Sequence, residues 1–320
     1  MKIKKIEIHS ILALIGEEWR RKELLISPSF LALHSTPERK LLYYRDSDNE
    51  GCLVLDFSIE NGVVTAKSPA IGPIGGLYWK NAPTYAQILS FYECVIQELS
   101  RSSKASELVV RLPPDYSNHD SGLQAMALVS LRASVSVVDI SYHLTCRHAN
   151  ESSFFDGMSR GNQRAFKRLT DKGYLSEVAG VEALGQVYDL IVRNRQQMGY
   201  AAPMPLALLT SQVERHTESY SFFKTLTPEG VLCAASIVMK FNKDVAYVQY
   251  WGDTMEARLG GNSPIVHLAC KLYTTLGKDG WQYISLGTSS QANRPLEGVA
   301  AFKLRLGAQA SKVLTFRIFI

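Results

Sequence analysis

Two segments of the chain place apolar residues three or four positions apart, the spacing of a helix that is buried along one face. Residues 85–99 and residues 264–276 carry this pattern. A short β-rich run follows each of them, at residues 107–112 and 281–286. A pair of glycines precedes each helix and marks a turn.

Further β-like runs lie upstream of each helix. In the first half they are residues 40–45, 52–59 and 63–67, and in the second half residues 220–226, 231–241 and 245–251. Strands, a glycine turn, a helix and a final strand therefore occur twice in the same order. This order favours one α/β unit used twice, with chance likeness of two ordinary α/β units as the alternative. The wide separation of the two segments excludes a short-period solenoid.

Between the halves the sequence predicts a strand at residues 135–144, a short helix at 151–156 and a longer helix at 159–172. Cations of the longer helix lie at positions i, i+4, i+7 and i+8 and so share one side: Arg160, Arg164, Lys167 and Arg168. Guanidinium groups fork onto phosphate oxygens, which makes this side a candidate phosphate-binding face. A solvated helix surface is the alternative.

A second candidate anion site follows the predicted strand at 245–251. There a glycine-bearing turn leads into the N-terminus of a helix, where unpaired backbone N–H groups and the helix dipole favour negative charge. The residues expected around a phosphate or a carbonyl oxygen are Arg258, Gly260, Gly261, Asn262 and Ser263. The alternative is a turn that needs glycine for structural reasons alone.

Length and charge add two expectations. A chain of 320 residues predicts about two domains, which we place at residues 1–148 and 149–320. Lys and Arg outnumber Asp and Glu by 35 to 30. The first 150 residues carry 16 of each sign and the rest carry 19 basic and 14 acidic residues, so the excess lies in the second half. An anionic partner is expected there, although a net charge of +5 is small for a general nucleic-acid binder.

Several classes of protein are disfavoured by what the sequence lacks. The five cysteines form no C-x-x-C pair, which favours reduced thiols in a cytoplasmic protein. The histidines follow no metal-binding spacing, so no metal is expected. The apolar stretch at residues 11–15 is too short for a signal peptide or a membrane span, and we expect no membrane insertion.

The familiar hydrolase, kinase and dinucleotide-binding motifs are absent as well. Cys146 lies between His143 and His148, which could indicate a thiol nucleophile; a strand end with a buried cysteine is the alternative. Enzymes that work by positioning two reactants need no sharp motif, and this class is therefore favoured.

Three segments resemble the FemAB-like branch of the GNAT acyltransferase superfamily. Residues 68–77 are similar to the family's S-P-x-x-G-x-x-G-G turn, and residues 160–168 to the basic R-x-x-x-R-x-x-x-K/R helix that opens its second domain. Residues 284–307 carry the most specific match, a strand ending in glycine, a short loop and then F-K-x-x-[FL]-G. The segments occur in the family's order, and the likeness covers most of the chain.

The resemblance implies an α/β (α+β) fold of two tandem GNAT-like domains, each with a mixed, mostly antiparallel sheet flanked by helices. It also implies transfer of an acyl or aminoacyl group from a coenzyme A thioester or a tRNA ester to an amine. Members of the family add amino acids to cell-wall peptide precursors, modify proteins or acylate smaller amines. Acyl-CoA or aminoacyl-tRNA would then be a co-substrate, with no permanently bound cofactor.

Site residues follow from the same resemblance. Phe302 and Lys303 match the family's F-K pair, whose lysine is implicated near the acyl-transfer centre. Arg258 and residues 260–263 lie where GNAT proteins keep a pyrophosphate loop of the form Q/R-x-x-G-x-G/A, but the spacing here is one residue short. The long helical arm of the best-known tRNA-dependent members is also missing, because single helices are predicted at 182–198 and 206–218.

The expected chemistry is attack of a neutral amine on a carbonyl, with an oxyanion to stabilise. We expect backbone N–H groups near residues 250–252 to hold the carbonyl, Lys303 to stabilise charge on the departing donor, and Tyr250 or Asp253 to relay the proton. The substrate-binding residues would be Arg164, Lys167, Arg168, Phe302 and Arg305. Each of the three residues also has a non-catalytic interpretation. Lys303 would be an ordinary exposed lysine, Tyr250 part of the pocket wall, and Asp253 a residue that stabilises the turn.

The cations of the second half are expected to converge on a groove between the domains, where a phosphate-bearing donor or acceptor would lie. Two other functions stay open at this point. One is an acyl-CoA-dependent N-acyltransferase of a small amine, and the other is a non-catalytic, two-lobed binding protein on the same scaffold. The sequence says nothing about the oligomeric state.

Overall fold

A computed structural model describes residues 4–6, 24–34, 39–45, 49–69, 72–103, 105–146, 149–240, 242–291 and 293–320. Residues 11–15, His148 and two residues of the 68–77 segment, Ala70 and Ile71, lie outside them. The chain forms two compact units. Unit 1 comprises Met1–Ser141, Ser290–Pro295 and Ser311–Ile320, and unit 2 comprises Tyr142–Ser289 and Leu296–Ala310.

The strands, in chain order, are β1 Lys4–Ile6, β2 Arg39–Arg45, β3 Glu50–Glu60, β4 Val63–Ser68, β5 Tyr78–Trp79, β6 Glu107–Arg111, β7 Ser134–Thr145, β8 Leu175–Ala179, β9 Tyr220–Leu226, β10 Leu232–Lys240, β11 Val245–Asp253, β12 Tyr283–Thr288, β13 Ser290–Gln291, β14 Arg294–Pro295 and β15 Gln309–Phe319.

The α-helices are α1 Pro28–Leu33, α2 Tyr85–Glu98, α3 Ser121–Ser130, α4 Glu151–Gly157, α5 Arg160–Asp171, α6 Leu184–Gln197, α7 Leu206–Arg215, α8 Pro264–Lys278 and α9 Glu297–Arg305. Short 3-10 turns occupy Leu24–Ile26, Val181–Ala183, Thr217–Ser219 and Glu256–Gly261, and a π-helical turn, Leu99–Ser103, follows α2.

Unit 1 is built on a sheet of order β1-β2-β3-β4-β6-β15-β7, with β5 beside β3. The ladder between β4 and β6 is parallel, and those of β2 with β3, β3 with β4, and β6 with β15 are antiparallel. The core lies between this sheet and helices α2 and α3, and it includes Leu53, Phe91, Tyr92 and Leu108 from the first half of the chain. Phe316 of β15 joins it, so the end of the chain completes unit 1.

The glycine-rich turn of unit 1 follows β4. Gly76 N–H donates to Ser68 Oγ over 3.0 Å. A Cβ atom on Gly75 would lie 2.4 Å from the backbone nitrogen of Pro69. Only glycine fits where two stretches of backbone come this close, which explains the S-P…G-G pattern as a structural requirement.

Unit 2 is built on a sheet of order β7-β12-β11-β10-β9-β8, to which β7 contributes its end from Tyr142. Strands β8, β9, β10 and β11 pair antiparallel, and β11 pairs parallel with β12. Helix α8 packs against β8 to β11, α6 packs against β9 to β11, and α4 and α5 pack against α8. Buried residues of this core include Phe223, Ile237, Val266, Leu268 and Leu286.

The same strand–helix–parallel strand arrangement occurs in both units, as β4–α2–β6 and as β11–α8–β12. The predicted fold class is confirmed: in each unit the strands form mixed, mostly antiparallel ladders and are flanked by helices.

Candidate active site

Strands β11 and β12 of unit 2 separate after a short ladder. They pair in parallel only where residues 245–247 face residues 283–285. Strand β11 nevertheless continues to Asp253 and β12 to Thr288. Past the ladder, the structure pairs none of the described residues of these two strands with each other. Backbone groups on the facing edges past this ladder are therefore not paired strand to strand and can meet other partners.

The corresponding strand end in unit 1 is closed. Strands β4 and β6 pair out to Ser68, the last residue of β4, and Val110, the last but one of β6. The turn after β4 then folds back, and Gly75 N–H donates to the carbonyl of Arg111 over 2.9 Å. The comparison of the two units places the candidate site at the open strand end of unit 2.

A β-bulge lies in the open part of β11. Ile237 of β10 faces Tyr250 of β11, and the next residue, Val238, faces Val248. Gln249 is therefore an extra residue that no residue of β10 faces. Bulges bend a strand and re-aim its side chains, and they are common beside active sites. The Oε1 atom of Gln249 is buried and accepts no hydrogen bond from the described residues.

Gly252 and Asn194 together hold the end of β11. A Cβ atom on Gly252 would lie 2.7 Å from the Asn194 side chain. Asn194 Nδ2 donates to the backbone carbonyl of Asp253 over 2.7 Å. The glycine thus allows a residue of α6 to reach the strand and fix its last carbonyl.

Lys303 is buried at the end of β12. Its side chain is only 3% exposed, and Nζ donates to the carbonyl oxygens of Gly287 at 2.9 Å and Thr288 at 3.0 Å. The same nitrogen lies 5.6 Å from the centre of the Tyr142 ring. The alternative of an ordinary exposed lysine is therefore wrong for this side chain.

Burial lowers the pKa of Lys303 to about 7, because removal from water penalises the charged amine. The group can therefore gain or lose a proton near neutral pH. Since two N–H bonds point at carbonyl oxygens, a neutral amine keeps its lone pair for a third partner. This is the property required of a general base that later acts as an acid.

Helix α9 carries Lys303 and its neighbour to the two separated strands. The Phe302 ring meets Trp251 of β11 edge to face, with ring centres 5.7 Å apart. Phe302 thus contacts β11 while Lys303 contacts the end of β12. The F-K pair therefore bridges the open strand end.

The glycine of the F-K-x-x-[FL]-G motif ends α9. Gly307 N–H donates to the Leu304 carbonyl and Ala308 N–H to the Lys303 carbonyl, which is a Schellman motif. Gly307 has a φ of 87°, and a Cβ atom there would lie 2.7 Å from the carbonyl oxygen of Gly157. The motif's spacing is therefore explained by the helix end that positions Lys303.

Arg305 has an exposed side chain, and its backbone carbonyl links α9 to α5. That carbonyl accepts hydrogen bonds from Ser159 N–H and from Asn162 Nδ2, each over 2.9 Å. The basic helix therefore begins directly at the end of the helix that carries Lys303. Along α5, Arg160, Arg164, Lys167 and Arg168 are exposed, as the spacing predicted.

Two cations of α5 already have partners. Lys167 Nζ lies 4.9 Å from the centre of the Phe155 ring. Arg168 Nη2 donates to the carbonyl of Gly261, in the turn before α8. The basic face of α5 therefore adjoins this turn.

Asp253 and Arg258, which were expected to relay a proton and to bind a phosphate, contact each other. Arg258 Nε donates to Asp253 Oδ1 over 2.8 Å, and Nη2 donates to the same oxygen. The backbone N–H of Ile265, in the first turn of α8, lies near this carboxylate and acts to lower its pKa. Burial raises the pKa of the Asp253 carboxyl, and the hydrogen bonds and charge of Arg258 act in the opposite direction.

The turn before α8 uses positive φ angles at Gly260 and Gly261, of 69° and 74°. Ser263 is the N-cap residue of α8, but its side chain makes no capping hydrogen bond. Asn262 Oδ1 is buried and has no hydrogen-bond partner among the described residues.

Tyr250 belongs to an aromatic and cationic cluster at the end of β11. Its hydroxyl oxygen accepts a hydrogen bond from Met204 N–H over 3.0 Å. The guanidinium carbon of Arg195 lies 5.8 Å from the ring centres of both Tyr250 and Tyr200. Tyr250 is half-buried, and its hydroxyl can still donate one hydrogen bond.

Sequence reasoning did not find four groups of this site: Gln249, Tyr142 and the carbonyls of Gly287 and Thr288. No motif marks them, because their roles arise from a bulge and from contacts between distant segments. The glycine at the end of the β12 strand was noted, but its carbonyl was not.

Other chemistry finds no site in the part of the chain that the structure describes. There, no three His, Cys, Asp or Glu side chains are grouped to hold a metal ion. His143 is buried, and its pKa is lowered to about 4 by that burial. Cys146 is buried too, and its Sγ atom donates to the Trp281 carbonyl over 3.0 Å. Burial raises the pKa of this thiol to about 12, which is unfavourable for a nucleophile.

The fold is shared with solved structures. FemX superposes with a TM-score of 0.72 over 100% of this chain and 98% of its own, at 12% sequence identity. The chain shares the fold of FemX. L-PGS from Bacillus licheniformis gives a TM-score of 0.57 at 11% identity, over 94% of this chain and 91% of its own.

A tandem GNAT protein from the clavulanic acid biosynthesis pathway gives a TM-score of 0.53 at 13% identity, over 99% of this chain and 98% of its own. The expected resemblance to FemAB-like and GNAT proteins is thus confirmed for the fold. No family model matches the sequence, and no curated protein matches it. Across the described residues, every helix is too short or too polar to cross a membrane. Function therefore has to be argued from the site itself.

Proposed function

We propose that this protein is an N-acyltransferase that moves an acyl or aminoacyl group from an activated ester or thioester to an amine. The observation that carries the proposal is the buried Lys303, held by the Gly287 and Thr288 carbonyls at the open end of β11 and β12. Its pKa of about 7 suits proton transfer at neutral pH. The fold shared with a tandem GNAT protein and with L-PGS supports the same class.

The reaction conserves atoms and charge. The nitrogen lone pair of the acceptor amine attacks the acyl carbon, and a C–N bond forms as negative charge develops on the carbonyl oxygen. The intermediate then collapses, and the bond from carbon to the donor's oxygen or sulfur breaks. One proton leaves the nitrogen and one is taken up by the departing oxygen or sulfur, so that no oxidant or reductant is needed.

Lys303 is the group that we assign to this proton. In the neutral form its lone pair accepts the proton from the attacking nitrogen, and the resulting ammonium donates it to the leaving atom. The Gly287 and Thr288 carbonyls hold the amine in one orientation throughout. Backbone N–H groups on the open edge of β11, near residues 250–252, would stabilise the oxyanion.

The remaining roles are proposed from position. Gln249 Oε1, buried and without a donor among the described residues, would accept a hydrogen bond from the amine or from an amide of the substrate. Tyr250 would donate its free O–H to the reacting groups. Arg164 and Lys167 would bind a phosphate of the donor or acceptor. The acceptor class that we favour is an amine of a cell-wall peptide precursor, and the five free cysteines accord with the cytoplasm as the compartment.

The test is a transfer assay read by mass spectrometry. Donors are an acyl-N-acetylcysteamine thioester and aminoacyl-tRNA, and acceptors are simple diamines, lysine peptides and UDP-linked muropeptides. We expect an amide product with wild type and a rate at least ~100-fold lower with Lys303→Met. Lys278→Met removes an exposed lysine and should keep the wild-type rate. No amide product from any pair, or equal rates for both variants, would refute the proposal.

A further inference from the structure

The start of α8 is the place where the GNAT fold would bind the diphosphate of a coenzyme A donor. A phosphate is held at such a place by unpaired N–H groups and by the positive end of the helix dipole. In this chain Pro264 has no N–H, and the N–H of Val266 is satisfied by the Ser263 carbonyl at 2.9 Å. The remaining donor of the first turn, Ile265 N–H, lies near the Asp253 carboxylate and acts to lower its pKa.

Asp253 therefore stands where an anionic ligand would stand. Its side chain is only 2% exposed. Its carboxylate accepts two hydrogen bonds from Arg258 and lies near the N–H of Ile265. These donors fit an ionised carboxylate. Its backbone is held as well, because Asn194 Nδ2 donates to the Asp253 carbonyl over 2.7 Å. Hydrogen bonds thus hold both the carboxylate and the backbone of Asp253 in place.

The nearby cations are also engaged. Arg258, the turn's own arginine, is bound to Asp253. Arg168 donates to the Gly261 carbonyl. An incoming diphosphate would have to displace these contacts, and it would lie beside a buried negative charge. Like charges at a separation of ~5 Å weaken binding by on the order of 100-fold at the polarity of a protein surface.

We infer that Asp253 is a donor-specificity residue: its carboxylate fills the anion site at the start of α8 and so excludes donors that must place a diphosphate there, such as coenzyme A thioesters. The inference rests on the proposed acyl transfer, since it concerns the donor of that reaction. It leaves the reactive strand end and Lys303 available to an ester or thioester whose phosphates lie elsewhere.

Binding of coenzyme A to the full-length chain, measured by isothermal titration calorimetry, tests the inference. Asp253→Asn removes the charge and keeps an oxygen for Ile265 N–H. Wild type should bind coenzyme A more weakly than about 1 mM, and Asp253→Asn should bind it at least about tenfold more tightly. Asp279→Asn removes an acid at the other end of α8 and should behave as wild type.

A second variant separates specificity from general loosening of the fold. If Asp253→Asn frees Arg258 for a diphosphate, the added change Arg258→Gln should abolish the gain. A gain that survives this change, micromolar binding by wild type, or no gain in Asp253→Asn would overturn the inference. Thermal melts of each variant show whether it is folded, and Asp253→Ser provides a smaller neutral replacement if Asp253→Asn is not.

Transfer assays distinguish failure of this inference from failure of the proposed function. Acyl-N-acetylcysteamine carries the same thioester as acyl-CoA without the diphosphate. We expect wild type to use it and to reject acyl-CoA. Equal use of both thioesters would refute the role of Asp253 while leaving the acyltransferase intact. Absence of transfer from every donor would refute the proposed function, and the calorimetry would still decide whether Asp253 excludes a diphosphate.

Discussion

Replacement of Lys303 by methionine removes an amine from the interior and keeps a side chain of similar length. The stability of wild type relative to this variant should depend on pH. In the folded protein burial lowers the pKa of Lys303 to about 7, whereas a lysine in an unfolded chain titrates near ~10.4. Between these values the unfolded chain binds more protons than the folded one.

The sign and size follow from proton linkage. Because the unfolded state binds the extra proton, the free energy of unfolding rises with pH in this window. Lys303 alone contributes a slope of up to about 1.4 kcal/mol per pH unit. Below pH 7 both states are protonated and the slope vanishes. Between pH 7 and pH 9 the accumulated gain approaches about 3 kcal/mol.

Urea unfolding of wild type and Lys303→Met at a series of pH values measures this gain. The difference between the two proteins cancels the other titrating groups, and Lys278→Met serves as the exposed-lysine control. The difference should be constant below pH 7 and should then grow in favour of wild type. A difference that stays flat from pH 6 to pH 9, or that grows in favour of the variant, would refute a neutral Lys303 in the interior.

Three further predictions concern the groups around Lys303. Gly307→Ala should lower stability by about 1–3 kcal/mol in urea unfolding, because alanine is strained at positive φ. Gly298→Ala, in an open position of the same helix, should have little effect. Gly252→Ala should displace the side chain of Asn194 and lower transfer activity more than substrate affinity, which a comparison of kcat with KM would show. Arg164→Ala should leave the melting temperature unchanged, but it should weaken tRNA binding and reduce the salt dependence of that binding. If the variant and wild type bind tRNA equally well at low salt, the basic face of α5 does not bind tRNA.

The elements with a local signature were predictable from the sequence. The strand expected at residues 220–226 is β9, Tyr220–Leu226. The helix expected from the apolar spacing of residues 264–276 is α8, Pro264–Lys278. Periodicity and capping depend on neighbouring residues, so a single sequence contains them. The same holds for the cations of α5, whose shared face follows from helix geometry alone.

Other elements depend on contacts between distant segments. Helix α9 was expected only as a loop followed by the F-K motif, and β15 was not anticipated. Strand β15 pairs with β6, about two hundred residues earlier, and completes unit 1. No local pattern specifies such a partner. The domains were placed at residues 1–148 and 149–320, with one boundary between them. Each unit of the structure also includes a segment from elsewhere in the chain, and a single boundary cannot represent that.

The residues of the candidate site also fall into these two groups: some have a local sequence motif, and others depend on contacts between distant segments. The F-K motif identified Phe302 and Lys303, and the structure brings them to β11 and β12. The burial of Lys303 could not be predicted, because it depends on carbonyls and an aromatic ring from other segments. Asp253 and Arg258 are only five residues apart, but the proposed role of their contact depends on α8, whose first turn lies near the Asp253 carboxylate. The expected convergence of cations on a groove between the domains stays a prediction.

The most direct test of the account is the pH dependence of amide formation in single turnover. Wild type and Lys303→Met are mixed with excess acyl-N-acetylcysteamine and an accepted amine. The wild-type rate should depend on a group with an apparent pKa of about 7, and Lys303→Met should lose both that dependence and at least ~100-fold in rate. A Lys303→Met protein that forms the amide at the wild-type rate, with the same pH profile, would contradict the central claim.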